Sequence, residues 1–115
     1  MSLILNAKIT KTTLGVEDHG IFSLAIHLDF GGYTQSFGGY ALDEYDSSTK
    51  ERVGVAFGAE LIRKVVKLFD CNWEQLPGKF CRVERQNGSI RRIGHILEDN
   101  WLDVEQLGAS FRDKK

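Results

Sequence analysis

Two stretches carry residue types able to do chemistry. Between Lys79 and Arg92 stand five basic side chains, Lys79, Arg82, Arg85, Arg91 and Arg92, against one acid, Glu84. Guanidinium forks offer paired donors that match phosphate oxygens, which an ammonium cannot do. The same stretch also reads as a solvated hairpin with a Glu84–Arg91 cross-strand pair. The second stretch is Gln35-Ser36-Phe37-Gly38-Gly39-Tyr40, where two rings flank a bare backbone. Its glycines fit a backbone at positive φ, or one approached closely by another chain or a ligand. Rings there could stack on a flat ligand while free amides hydrogen-bond to it. A bulge or tight corner in a sheet is the plainer account of the pattern.

Other candidates are weaker. Glu17, Asp18 and His19 beside Gly20 could do acid–base work, and a polar turn has that composition too. His27 and His95 lie within strands, and none of the three histidines has paired metal-ligand spacing. Cys71 and Cys81 stand ten apart without a CxxC, which reads as two buried free thiols. There is no G-x-S-x-G elbow, and no glycine pair links a strand to a helix as a phosphate or dinucleotide loop requires. The motifs therefore call for no cofactor and make a poor case for an enzyme.

Composition narrows the partners. The chain has 115 residues, enough for one domain with one core, 1–115. With 42% hydrophobic and 27% charged residues it belongs among folded globular proteins. A formal charge of −1 provides no global field to attract nucleic acid or a membrane surface, so any anion site is local. No apolar run approaches the ~20 residues of a membrane span. Met1-Ser2-Leu3-Ile4-Leu5 lacks the basic region and length of a signal peptide, so a cytoplasmic location is the expectation.

These groups must be held by elements, and the periodicities predict an α+β fold. An antiparallel sheet of about five to six strands, a meander plus a hairpin, is packed by one main helix and a short C-terminal one. Leu3, Leu5, Ala7 and Ile9 alternate with polar neighbours in a first strand. Glu17 to Gly20 is a hairpin connection. Phe22, Leu24, Ile26, Leu28 and Phe30 mark one face of the second strand, and Gly31-Gly32 turns it into the third, Tyr33 to Tyr40. Asp43 to Lys50 reads as a polar loop. Ser48 with Glu51 has the form of a capping box that would open a helix. The firm helix is Val55 to Phe69, buried through Leu61, Ile62, Val65, Val66 and Phe69. Gly54 and Gly58 weaken its start by roughly 1 kcal/mol each relative to alanine.

Trp73 and Leu76 plug the core edge before a Pro77-Gly78 turn. Asn87-Gly88 predicts a type I′ hairpin between Lys79–Arg85 and Ser89–Leu97. Its register pairs Gln86 with Ser89, Glu84 with Arg91, Arg82 with Ile93 and Phe80 with His95. Phe80, Arg82, Glu84, Arg91 and His95 then share a charged face, while Cys81, Val83, Ile90 and Ile96 face the core. Val104 to Phe111 is a short helical or irregular segment. Rings and cations are scattered over many elements: Phe37, Tyr40, Phe57, Phe80, Arg82, Phe111, Arg112. A chain this short has little interior room for a pocket of several hundred Å3, and a symmetric dimer could build one between protomers.

Four segments together resemble a known family. They are Leu14-Gly15-Val16-Glu17-Asp18-His19-Gly20-Ile21, Gln35 to Asp43 (QSFGGYALD), Trp73-Glu74-Gln75-Leu76-Pro77-Gly78-Lys79 and Ile93-Gly94-His95-Ile96. Their order and spacing, over about Asn6 to Trp101, are similar to those of the first family of phage Thoeris anti-defence proteins. The resemblance implies a sponge rather than a catalyst. Such a protein sequesters cyclic ADP-ribose isomers made by host TIR-domain immune enzymes and leaves them intact, and some members also take cyclic di- or trinucleotides. It implies homo-oligomers, a dimer or a trimer of dimers, with nucleotide sites between protomers. By the resemblance, the ligand residues nearest the family's ring, asparagine and arginines are Phe80, Asn87, Arg52, Arg63 and Arg112. Phe37, Gly38, Gly39, Tyr40, Arg82, Arg91 and His95 complete the expected ligand set. The alternatives are a small phosphodiesterase or glycohydrolase using Asp18, His19 or His95, and an oligomeric adaptor with no small-molecule ligand.

Overall fold

The computed structural model describes residues 2–16 and 18–112, without the side chains of Asp18 and Arg112. The expectations placed on Glu17, on those two side chains and on the tail beyond 112 lie outside the described residues. The architecture is α+β, as the periodicities predict. In chain order come β1 (Ser2–Val16), β2 (Phe22–Asp29), β3 (Thr34–Ala41), β4 (Asp43–Asp46), β5 (Glu51–Gly54), α1 (Ala56–Phe69), β6 (Phe80–Gln86), β7 (Ser89–His95), β8 (Trp101–Asp103) and α2 (Val104–Arg112). Six strands form one antiparallel sheet in the order β3-β2-β1-β6-β7-β8, and β4-β5 is a separate hairpin. No helix among the described residues is long and apolar enough to cross a membrane.

Alternation decides which face is buried. Leu24, Ile26 and Leu28 of β2 point inward and are at most 3% exposed, while Ser23, Ala25, His27 and Asp29 point away. Ala7 and Ile9 of β1, Cys81 and Val83 of β6 and Ile93 of β7 continue that layer. Helix α1 closes it with Leu61, Val65, Leu68 and Phe69. Leu68 belongs to the stripe, whereas Ile62 and Val66 sit at its margin. Asp70 at positive φ ends the helix, its N–H donating to Lys67 O at 3.2 Å. Leu76, fully buried, is the plug expected before Gly78, while Trp73 is partly exposed.

Four expectations are corrected. Residues 43–50 are not a loop into a helix: β4 and β5 form a hairpin there. The Ser48 hydroxyl and N–H both donate to the Asp46 carboxylate, at 2.7 and 2.9 Å, so Ser48 stabilises the hairpin turn instead of capping a helix. The first strand runs on to Val16, and a bulge at Thr10 turns its inward positions from odd to even residues. Cys71 is free but only partly buried. Cys81 is fully buried, and burial pushes its thiol up to about 12, leaving it protonated and unreactive at neutral pH.

The fourth correction concerns the arginine hairpin. Asn87 and Gly88 take φ of 54° and 81°, as a type I′ turn requires. Gln86 faces Ser89 and Arg85 faces Ile90, but a bulge at Arg91 then moves the register by one. Glu84 faces Arg92, Val83 faces Ile93, Arg82 faces Gly94 and Cys81 faces His95. The cross-strand pair is therefore Glu84–Arg92, at 2.8 Å, and not Glu84–Arg91. Phe80 and His95 are not partners, and Arg91 leaves the charged face.

Candidate functional site: a cleft between the hairpin tip and the second helix

The sheet curls until its hairpin tip reaches β3. Gln35 Nε2 donates to Gly88 O at 3.0 Å. The Arg85 guanidinium lies 5.0 Å from the ring centres of both Phe30 and Tyr33 and donates to the Tyr33 hydroxyl. That curl leaves an open cleft of about 530 Å3 between β3, α1, the β6–β7 tip and α2. Tyr40, Phe57 and Ile90 supply apolar walls; Ser89, Arg91 and Glu105 supply polar groups. A neighbouring recess of about 380 Å3 shares Phe57 and continues to Val55 and Phe111. The volume lies in the range of small-molecule sites. A single chain thus makes a pocket of the size expected only between protomers, on its surface rather than in its interior.

Two bulges place the key side chains. Gly39 is an extra residue in β3: Ala25 faces Gly38 and Leu24 faces Tyr40. In an unbroken strand Tyr40 would share the outward face of Thr34 and Ser36. The insertion returns it to the face of Phe37, against which it packs edge-on at 5.8 Å. Likewise, Arg92 takes the place opposite Glu84, and the bulged Arg91 turns toward the cleft. There Arg91 is loosely held, with Nη1 3.3 Å from Gln86 Oε1 and Nε 3.8 Å from Asp103 Oδ2. Asp103 is otherwise engaged, its Oδ1 accepting from Gln106 N at 3.1 Å across the first turn of α2. Burial, then the charges of Asp103 and Glu105, push the Tyr40 phenol above its ordinary 10.0. It is thus a protonated hydrogen-bond donor at neutral pH.

Of the expected ligand residues, Tyr40 and Arg91 line this cleft. Phe37 is a core ring, 3% exposed. Gly38 and Gly39 take φ of 138° and 80° in the bulge, which by itself calls for glycine at both. Arg82 spans the loop after β7: Nε donates to His95 O at 2.8 Å and Nη2 to Glu98 O at 2.7 Å. Its guanidinium and that of Arg92 stand 4.9 and 4.3 Å from the Trp101 ring centre. Gly94 makes room for that ring, since a Cβ there would sit 2.6 Å from Trp101 Cε3. His95 Nδ1 accepts from Leu97 N and Glu98 N, both at 3.0 Å, which assigns its proton to Nε2 and its role to the same loop. Asn87 holds the turn. Arg63 pairs with Glu60 at 2.9 Å on the exposed face of α1. Phe80 is 57% exposed at the far side of the sheet, with Lys8 Nζ 5.8 Å from its ring centre.

Arg52 is held by Asp43: Nη2 donates to Asp43 Oδ1 at 2.9 Å, while Phe22 N donates to Oδ2 at 3.2 Å. The Arg52 hydrogen bond, more than the Phe22 one, keeps the Asp43 carboxyl below its ordinary 3.8. A lowered folded-state pKa contributes stability above the ordinary carboxylate range and loses it as pH falls through the folded value. Asp43→Asn is therefore expected to destabilise at neutral pH and to match wild type in strong acid. Urea midpoints across pH measure this, and a constant difference at every pH would contradict it.

His27 bridges Thr13 Oγ1 and Ser36 Oγ, at 3.0 and 2.9 Å, across the outward face of three strands and away from the cleft. His19, exposed in the turn before β2, is also outside it. Among the described residues no group of three His, Cys, Asp or Glu side chains could hold a metal ion. Gln86, Ser89 and Glu105 are cleft residues that composition did not single out. The signal for the first two was the Asn87-Gly88 register, which sets them opposite each other at the tip. Comparison with protein families, with curated proteins and with solved structures finds no match for this chain.

Proposed function

We propose that this chain is a binding protein that captures a cyclic ADP-ribose isomer and holds it uncleaved. In that role it is a phage anti-defence sponge, acting in the host cytoplasm against signals from TIR-domain immune enzymes. The observation that carries this reading is the convergence of Tyr40, Phe57 and Arg91 on one cleft of about 530 Å3. An adenine can stack on the rings, each contact giving ~1–3 kcal/mol as in single-strand readers. A diphosphate can take the guanidinium of Arg91, whose present contacts of 3.3 and 3.8 Å are weak enough to exchange. None of the imidazoles lines the cleft, which favours capture over turnover. A second copy of the chain would close its open side, as the resemblance to dimeric and hexameric sponges implies. Cyclic di- and trinucleotides offer the same base and phosphate groups.

Calorimetry against a panel of cyclic ADP-ribose isomers and cyclic dinucleotides, with mass measured in solution, tests the proposal. Wild-type protein is expected to bind a cyclic ADP-ribose isomer, and heat denaturation is expected to release it chemically unchanged. Arg91→Ala is expected to weaken binding by about 10- to 100-fold, the size of a charge-assisted hydrogen bond. Its thermal midpoint should stay near wild type, because Arg91 is a surface side chain with long contacts. Unchanged affinity in Arg91→Ala would place the site elsewhere. Product beyond one equivalent of protein would make the chain an enzyme.

A further inference from the structure

We infer that Glu105 reads the vicinal hydroxyls of a ribose, so that the cleft selects nucleotides whose sugar diol is free. The inference rests on the nucleotide reading of the cleft and adds the sugar determinant to it. Glu105 lies in the first turn of α2 and lines the cleft. Unlike Asp103, which caps α2 and faces Arg91, its carboxylate makes no hydrogen bond or ion pair among the described residues. Its charge nonetheless reaches the cleft interior, since it acts on the Tyr40 phenol.

Position and chemistry agree on the ligand group. Glu105 and Arg91 both border the cleft and the adjoining recess of about 360 Å3, so they stand side by side along its edge. In a nucleotide the group next to the phosphate is the ribose. With Arg91 on phosphate and the rings of Tyr40 and Phe57 on the base, the sugar falls beside Glu105. An ionised carboxylate only accepts hydrogen bonds, and its two oxygens match the two donors of a vicinal diol. Dinucleotide sites use an acidic side chain on ribose hydroxyls in the same way.

The test is calorimetry of wild type and Glu105→Gln with cyclic ADP-ribose and with analogues deoxygenated on either ribose. Wild type is expected to prefer the intact diol by about tenfold or more on one of the riboses. Glu105→Gln should lose that preference by weakening the intact ligand alone, and Glu105→Ala should behave alike. The exposed position leaves folding unaffected, which thermal melts check. Equal preference in the variants, or binding by wild type that ignores both deoxygenations, would overturn the role of Glu105 while leaving the cleft reading intact. Wild-type protein that binds none of the probes would overturn the cleft reading and this inference with it.

Discussion

Replacing Gly38 with alanine is expected to destabilise the fold by about 2–6 kcal/mol, from two costs acting together. The backbone φ of 138° is a glycine conformation, and an L side chain forced into it costs roughly 1–3 kcal/mol. The added Cβ would also stand 2.5 Å from Leu24 O and 2.7 Å from Ala25 Cα. Those are backbone atoms of the neighbouring strand and cannot turn aside as a flexible side chain would. Overpacking of that kind adds roughly 1–3 kcal/mol. The sum is a large share of the ~5–15 kcal/mol that holds a typical domain. It should appear as a fall in Tm on the order of 15 °C in a calorimetric or circular dichroism melt. Gly39→Ala is the control: its φ of 80° is strained for alanine, but no atom lies within 4 Å of the added Cβ. It should cost only ~1–2 kcal/mol. Equal effects at the two positions would mean that close strand approach plays no part. If the proposed nucleotide capture holds, Gly38→Ala should weaken it as well, because the same bulge turns Tyr40 into the cleft.

Gly58→Ala is expected to destabilise although alanine is the better helix former. Helix propensity alone predicts a gain of ~1 kcal/mol for alanine. Gly58, however, is buried where α1 crosses the chain after β3, and a Cβ would stand 2.4 Å from Leu42 O and 2.8 Å from Leu42 Cα. Val55 N already donates to that same carbonyl at 3.2 Å, so Leu42 is pinned. Pushing the helix off Leu42 costs roughly 1–3 kcal/mol, which should outweigh the propensity gain and leave a net loss of up to ~2 kcal/mol. Gly54→Ala should be neutral or mildly stabilising, because nothing lies within 4 Å of its Cβ and its φ is not positive. Urea denaturation of the two variants measures the contrast. A Gly58→Ala protein more stable than wild type would show that the helix can lift away from Leu42 at no cost.

Both experiments concern glycines whose reasons lie in backbone distant along the chain, Leu24 and Ala25 for Gly38 and Leu42 for Gly58, and there the local signals stop. The alternation in β2, the Asn87-Gly88 turn and the stripe of α1 are local signals, each contained within about one element. They led to the right fold class and most element positions. Ser48 and Glu51 misled because a serine with an acid three residues on serves an Asp46 turn as well as a helix start. The hairpin face was misassigned because the type I′ turn determines pairing only beside itself. One extra residue at Arg91 reverses every side chain beyond it. Arg82, expected as a ligand, and Arg92, counted in the basic cluster, were read without their actual partner. Nothing near them in the chain announces Trp101, the ring on which both are stacked.

Composition and periodicity were sufficient for an α+β domain with an inward-facing apolar layer, because burial follows a period of two or 3.6 residues that any short window displays. Which charged and aromatic groups meet was decided by tertiary structure. Bulges at Gly39 and Arg91 depend on how twisted strands fit their partners, and the curl that carries the Gly88 turn to Gln35 depends on the whole sheet. The cleft holding Tyr40, Phe57, Arg91 and Glu105 is assembled from elements up to 65 residues apart in the chain. No local pattern records such a meeting, since the contacts that enforce it exist only once the sheet has closed around its core.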